Sequence, residues 1–143
     1  VLLTFRHKVG GGLSAIYLPI EFQFPAFWIG WALELMGLGF SVWARVHLGT
    51  NWSGKVTVKQ DHELIRSGPY GWTRHPIYTG LLLAVAGGAI AQGQWHGLLG
   101  VALVASSFIF KLRIEERFMT ETFGEAYTRY RAEVPALIPR PWR

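Results

Sequence analysis

The chain has 143 residues, enough for one domain, and half of them are hydrophobic while only 16% carry a charge. Soluble domains carry about 25% charged residues, so this composition indicates a membrane protein, and the net charge of +5 suits contact with anionic lipid headgroups rather than nucleic acid. Cysteine is absent, which excludes disulfides, thiolate nucleophiles and cysteine-based zinc sites.

The first strongly apolar segment covers residues 26–48, close to the roughly 20 residues that a helix needs to span a bilayer. Glu34 interrupts it. An acid at membrane depth is costly unless it faces protein or water, so we interpret Glu34 as a hydrogen-bonding residue between helices. Residues 9–24 are less apolar, because they include glycines, a proline and a glutamate. The distribution of basic residues predicts that residues 9–24 either cross the membrane or lie in its interface.

A second apolar region covers residues 77–110 and contains no Asp, Glu, Lys or Arg. The stretch "QGQWHG", residues 92–97, interrupts it with turn-forming residues. We therefore predict two short helices that form a hairpin. The small residues in "AVAGGAIA" would allow another helix to approach closely.

Two polar segments complete the chain, residues 49–74 and 111–143. The first alternates as extended chain does and ends in the turn "SGPYG", whereas the second starts as a helix that leaves the membrane. The predicted fold is an all-α integral membrane protein with three or four transmembrane helices, including the hairpin. It forms a single domain over residues 1–143, with both polar segments on the cytoplasmic face.

Polar and aromatic side chains crowd the start of the hairpin in "GPYGWTRHPIYTG". Pro76 restricts the residue before it to extended geometry and is favoured at a helix start, so the loop ends there. Alone, each polar residue there is ordinary, since arginine and tyrosine anchor helices at interfaces and acidic pairs are usually solvated. A hairpin returns its exit near its entrance, however, so one site is expected to gather Arg74, His75, Tyr78, Glu115 and Glu116.

Residues 48–80, which end in "RHPIYTG", and residues 113–139, "RIEERFMTETFGEAYTRYRAEVPALIP", resemble the isoprenylcysteine carboxyl methyltransferases and their prokaryotic relatives. The specific combination is RHPxY, then a hairpin, then EE. Phospholipid N-methyltransferases share RHPxY, and sterol reductases carry a similar loop. The resemblance implies a membrane enzyme that uses S-adenosylmethionine and releases S-adenosylhomocysteine. It also implies a bacterial or archaeal cytoplasmic membrane, a site facing the cytoplasm, and a cofactor-binding and catalytic core over residues 48–139.

The resemblance also assigns residues. The family's cofactor-binding positions fall on His62, Glu63, Leu64, Ile65, Tyr70, His75, Pro76, Ile77, Tyr78 and Glu115. Glu116 adjoins the last of these positions and is counted with them. The family's arginine for the substrate carboxylate falls on Lys111, which offers a point charge instead of a bidentate fork. Arg113 or Arg74 is expected to share that catalytic role. No metal is expected.

The function that follows is methyl transfer to a lipophilic small molecule or lipidated substrate, with a carboxylate as the acceptor. The expected contacts are this substrate and membrane lipids, and nucleic acid is not expected. Phospholipid N-methylation and thiol S-methylation are the alternatives within methyl transfer. From other classes, the alternatives are an NADPH-dependent enzyme like the sterol reductases and a non-catalytic membrane scaffold.

Overall fold

The computed structural model describes residues 20–49 and 64–139, and every regular element in those residues is helical. Helix α1 covers Ile20–Leu48, a 3-10 turn covers Gly68–Gly71, and α2 covers Pro76–Gln92. Helix α3 covers Gly97–Phe123 and α4 covers Glu125–Glu133. The predicted all-α class with a helical hairpin is thereby confirmed.

Helix α1 is longer than the predicted span, because it begins at Ile20 and contains Pro25. Proline lacks an amide N–H, so Pro25, the sixth residue of α1, removes one backbone hydrogen bond from the helix. Of residues 9–24, those before residue 20 lie outside the described residues, and whether they cross the membrane stays a prediction.

Two of the helices are long and apolar enough to cross a membrane. Their candidate spans are Phe22–Leu48 and Gly97–Phe123, with mean hydropathies of 1.3 and 1.7. Each of these spans is about 40 Å long, more than the roughly 30 Å of a bilayer's hydrocarbon core. Helix α2 has 17 residues and measures about 26 Å. Charges begin at Lys111, so the last part of α3 continues beyond the apolar layer.

Helices α1 and α2 approach each other through small residues. A Cβ atom added at Gly30, Gly37, Gly80 or Gly87 would come within 3.0 Å of the partner helix's backbone. The Ser41 hydroxyl adds a hydrogen bond of 3.0 Å to the Ile77 carbonyl. This is the close packing that small residues allow between helices in membranes.

The hairpin turn lies where the sequence predicts it. Helix α2 ends at Gln92, and Gly93 follows with a φ of 61°, a left-handed conformation that glycine adopts without steric cost. Helix α3 begins at Gly97, which packs against Ala89. The charged end of α3 is therefore returned to the level of the loop that precedes α2.

Candidate functional site

The loop before α2 is docked on the end of α1. Gly68 has a φ of 58°, and a Cβ atom there would lie 2.7 Å from the His47 ring. The His47 Nε2 atom lies 2.9 Å from the Ser67 hydroxyl, and its ring stacks on Tyr70 at 6.5 Å. Close approach by His47 therefore requires glycine at position 68 and fixes the loop against α1.

The loop is also held from the other side by residues 134–137, which we call the tail strap. The Arg74 amide donates to the Pro135 carbonyl at 2.9 Å, and the His75 amide donates to the Ala136 carbonyl at 3.1 Å. Two threonine hydroxyls add side-chain bonds to strap carbonyls, namely Thr73 to Ala136 at 2.5 Å and Thr79 to Leu137 at 2.7 Å. The carbonyl groups of the strap thus accept hydrogen bonds from backbone amides immediately before α2, which have no partner within the helix.

Glu116 lies at the centre of a buried ionic cluster. The Arg74 Nε and Nη2 atoms donate to Glu116 Oε1 at 2.8 and 2.5 Å, and the two side chains are only 8% and 9% exposed. His75 Nε2 lies 3.3 Å from the same oxygen, and Arg131 Nε lies 3.5 Å from Oε2. The Arg74 Nη1 atom donates to the carbonyls of Arg131 and Val134. This cluster joins the loop, α3, α4 and the tail strap.

Glu115 forms a second, more open cluster beside the first. The Tyr78 hydroxyl donates to Glu115 Oε1 at 2.5 Å, and His75 Nδ1 lies 3.6 Å from Oε2. Lys111 Nζ lies 3.8 Å from Oε1 and 5.5 Å from the centre of the Tyr78 ring. The Glu115 side chain is 25% exposed and that of Lys111 is 54% exposed. These four residues, the Glu115 cluster, remain within reach of a ligand.

Aromatic rings form one wall of the Glu115 cluster. The His75 and Tyr78 rings are nearly parallel, with centroids 5.7 Å apart, and Phe108 lies 4.9 Å from Tyr78. Sequence reasoning missed Phe108. Its spacing of two helical turns before Glu115 places it on the same face of α3, which is a signal that the sequence contains.

Two tyrosines of α4 pack beneath the loop. Tyr127 and Tyr130 are each 2% exposed, and the Tyr130 hydroxyl donates to the Tyr70 carbonyl at 2.6 Å. Burial raises the pKa of Tyr127 to about 12, and it raises the pKa of Tyr70 to about 12 as well. Burial also raises the pKa of Tyr130. All three phenols therefore stay neutral at physiological pH and act in packing.

The structure brings together six of the predicted site residues. Its two clusters contain Arg74, His75, Tyr78, Lys111, Glu115 and Glu116. Arg74 is buried and engaged by four hydrogen bonds. Arg113 is exposed on α3 and contacts neither cluster within the described part of the chain. A catalytic role for either arginine stays a prediction.

The remaining predicted positions differ in their surroundings. Pro76 is buried at the first position of α2, and the Ile77 carbonyl accepts the Ser41 hydrogen bond. Tyr70 is buried, and its ring stacks on that of His47. The other predicted positions precede the loop: Leu64 and Ile65 are partly buried in non-helical chain, whereas His62 and Glu63 lie outside the described residues. Their cofactor-binding roles stay predictions.

Arg131 is a residue that sequence reasoning missed entirely. Its side chain approaches Glu116, and its carbonyl accepts a hydrogen bond from Arg74. Both contacts depend on how α4 folds back on α3, and no local sequence pattern encodes that return. Across residues 20–49 and 64–139, no group of histidine and acidic side chains is arranged to hold a metal ion.

Comparison with known proteins gives consistent results. Residues 25–126 match a sequence family described as phospholipid methyltransferase. The chain is 32% identical to a protein-S-isoprenylcysteine O-methyltransferase of Schizosaccharomyces pombe, over 92% of this chain and 61% of that protein. It is also 32% identical to a methanethiol S-methyltransferase of Mycobacterium tuberculosis, over 82% of this chain and 48% of that protein.

A solved structure shows the same arrangement of helices. It is that of a eukaryotic intramembrane Ras methyltransferase, an isoprenylcysteine carboxyl methyltransferase, with a TM-score of 0.70 and 30% identity. The match covers 79% of this chain and 43% of the other. The chain therefore spans from 43% to 61% of the length of these three proteins.

Proposed function

The chain belongs to the phospholipid methyltransferase family, and we propose that it transfers a methyl group from S-adenosylmethionine to a lipophilic acceptor at the membrane surface. The resemblance to isoprenylcysteine carboxyl methyltransferases expected from the sequence is confirmed. The observation that carries the proposal is the partly exposed Glu115 carboxylate, held beside Tyr78, His75 and Lys111 at the start of the hairpin.

The Glu115 cluster fits the chemistry of this cofactor. A carboxylate forms charge-assisted hydrogen bonds with an ammonium group, and these are about twice as strong as neutral ones. The face of Tyr78 offers the negative potential that attracts a cation such as a sulfonium. When bound, S-adenosylmethionine supplies an electrophilic methyl group on a positively charged sulfur. Glu115 and Tyr78 are the residues we assign to hold it.

The protein's own groups mainly position and desolvate the reactants. The Tyr78 hydroxyl and Lys111 orient the Glu115 carboxylate, while the buried Glu116 cluster holds His75 in place. Phe108 and Tyr78 present apolar surface beside the Glu115 carboxylate, against which a bound ligand would displace water. Opposite charges on acceptor and donor disappear in the transition state of carboxylate methylation, so a dry, preorganised site favours the reaction.

A carboxylate is the acceptor that these residues support best. Lys111 is half exposed on the surface of α3, so its ammonium group is free to turn from Glu115 to an anionic acceptor. The relatives named as isoprenylcysteine O-methyltransferases support the same acceptor class. A thiol is the second candidate, because the Mycobacterium tuberculosis relative is named a methanethiol S-methyltransferase. A thiol would not require the charge of Lys111.

We further propose that the site faces the cytoplasm of a bacterial or archaeal cell. Arg45, Arg66 and Arg131 all lie at the end of the helices where the site is formed. Positively charged residues beside membrane helices favour the cytoplasmic side.

The test is a labelled-methyl assay with purified protein in lipid nanodiscs. We expect membrane lipid extracts to yield a labelled lipophilic product, identified by mass spectrometry, with S-adenosylhomocysteine as an inhibitor. Glu115→Ala should reduce the yield, whereas replacement of the exposed Glu125 by alanine should not. Failure of S-adenosylhomocysteine to stabilise the wild-type protein would overturn the cofactor assignment. Stabilisation without any labelled product would instead indicate a binding protein.

A further inference from the structure

A cleft lies between the three membrane helices, α1, α2 and α3. Its volume is about 430 Å³. Most of its lining is apolar or small and comes from all three helices, including Leu38, Leu81, Val85, Ala89 and Val101. Glu34 is the acidic residue in this lining.

Glu34 points its carboxylate over a glycine pair in α2. A Cβ atom added at Gly88 would lie 3.5 Å from Glu34 Oε2, and one added at Gly87 would meet the backbone of α1. The absence of side chains at these positions makes room for the carboxylate. Within the described part of the chain, no hydrogen bond or ion pair engages Glu34. The interhelical hydrogen bond expected from the sequence is therefore replaced by a carboxylate that faces the cleft.

The cleft and the Glu115 cluster lie along one face of the hairpin. On α2, Tyr78, Leu81, Val85 and Gly88 follow each other at helical spacing. Gly88 is ten residues beyond Tyr78, which places Glu34 about 15 Å from the Glu115 cluster along the helix axis. A ligand that extends from the cluster along this face would therefore meet a carboxylate at membrane depth.

We propose that this cleft binds the apolar chain of the methyl acceptor and that Glu34 recognises a hydrogen-bond donor, an ammonium or hydroxyl group, within that chain. The donor lies about 15 Å from the methylated group. The position of the methylated end rests on the proposed function, whereas donor binding at Glu34 does not require methyl transfer.

Charge complementarity supports this occupant. An acid at membrane depth is costly unless it is paired, and a ligand donor supplies the partner that the described helices do not. A purely hydrocarbon chain would leave the carboxylate desolvated and unpaired, so the cleft disfavours it. Apart from Glu34 and Gln92, the residues that line the cleft are apolar or glycine, which suits a long chain that enters sideways from the bilayer.

The test compares three ligands of equal chain length: ω-aminododecanoate, ω-hydroxydodecanoate and dodecanoate. Their extended chains are long enough to reach from Tyr78 to Glu34. Binding to protein in nanodiscs is measured by equilibrium dialysis without S-adenosylmethionine, and binding to empty nanodiscs is subtracted. We expect a ligand with the terminal donor to bind about tenfold more tightly than dodecanoate, the value of one charge-assisted hydrogen bond.

Two variants and a control make the test specific. Glu34→Gln should remove the preference for the amine, while Glu125→Gln, which alters an exposed carboxylate of α4, should leave it unchanged. Gly88→Leu should fill the cleft and weaken the binding of all three ligands. A preference for the amine alone identifies an ammonium ligand, and a preference for both donors identifies a hydroxyl-tolerant site.

Equal wild-type affinities for the three ligands, or a preference that survives Glu34→Gln, would overturn the proposal. Because no methyl donor is present, neither result bears on the proposed methyltransferase activity. Conversely, absence of methyl transfer would leave the binding preference measurable.

Discussion

Glu115 and Glu116 are neighbours in sequence, yet their surroundings give them different tasks. Glu116 is 9% exposed and contacts two arginines and a histidine, so it connects segments that are distant in sequence. Glu115 is 25% exposed, and its partners are a tyrosine hydroxyl, an exposed lysine and the histidine that it shares with Glu116. Adjacent helical residues point about 100° apart, which lets α3 serve folding with one carboxylate and ligand binding with the other.

We expect the two alanine substitutions to separate these tasks. Glu116→Ala leaves Arg74 buried without its partner and should lower stability by about 3 kcal/mol or more. Glu115→Ala should leave thermal stability nearly unchanged but weaken S-adenosylhomocysteine binding about tenfold. Thermal unfolding with and without the ligand measures both effects. Glu121→Ala, on the exposed part of the same helix, is the control. Identical behaviour of the Glu115 and Glu116 variants would contradict the division.

Lys111 is an exposed cation of the Glu115 cluster. Lys111→Ala should raise the KM for a lipophilic carboxylate several-fold, and the affinity for S-adenosylhomocysteine should change little. Steady-state kinetics with the acceptor found in the labelled-methyl assay measures this. Arg117→Ala removes a charge of the same sign from an exposed pair and serves as the control. Unchanged kinetics would favour a neutral thiol acceptor over a carboxylate.

At the scale of elements, the site depends on the register of α1 against α2. Glycines on both helices bring the two backbones together, and Ser41 bonds to the first turn of α2. The loop that carries Arg74 and His75 is attached to both helices, through His47 at the end of α1 and directly before Pro76. A change in the distance between α1 and α2 within the membrane would therefore displace the residues of the site.

Glycine substitutions in α1 test this dependence. Gly37→Leu should separate the helices and lower both stability and S-adenosylhomocysteine binding, because a Cβ atom there already meets the α2 backbone. Gly39→Leu is the matched control, since nothing lies within 4 Å of a Cβ atom at that position. Thermal unfolding and ligand binding compare the two variants. Equal effects of both would show that leucine disturbs the helix itself and not its packing.

At the scale of the whole molecule, the loop, α4 and the tail strap gather at one end of the membrane helices, and the hairpin turn lies at the other. The chain contains no cysteine, so single cysteines can report this arrangement without background. A cysteine reagent that does not cross membranes should modify Gln60→Cys and Glu125→Cys from the same side of a sealed vesicle. It should modify Trp95→Cys, at the exposed hairpin turn, from the opposite side. Labelling of the first two positions from different sides would contradict the hairpin.

Much of this arrangement was predictable because it depends on local chemistry. The charge-free run and the turn-forming residues 92–97 specify the hairpin, and the hairpin then brings Glu115 to His75. Helix α1 begins before the apolar segment at residues 26–48, because it continues back through Pro25 to Ile20. The role of Glu34 was also misjudged, because only the packing of α1 on Gly87 and Gly88 determines where its carboxylate points.

The tail strap was beyond prediction for a different reason. It binds the loop through its carbonyl groups, which every residue possesses, so its side chains carry no signature of the pairing. Arg131 is likewise one of several arginines near the end of the chain, and only the return of α4 selects it. Contacts between backbone groups distant in sequence are set by the completed fold.

The tail strap also bears on how the protein is made. A ribosome releases residues 134–137 only after α1, α2 and α3 have been synthesised, yet these residues satisfy the amides of Arg74 and His75. The hydrogen bonds of the loop are therefore complete only after the tail strap has been synthesised. A nascent or prematurely terminated chain would carry its helices without a finished site. Synthesis of the strap thus completes the hydrogen bonding of the loop.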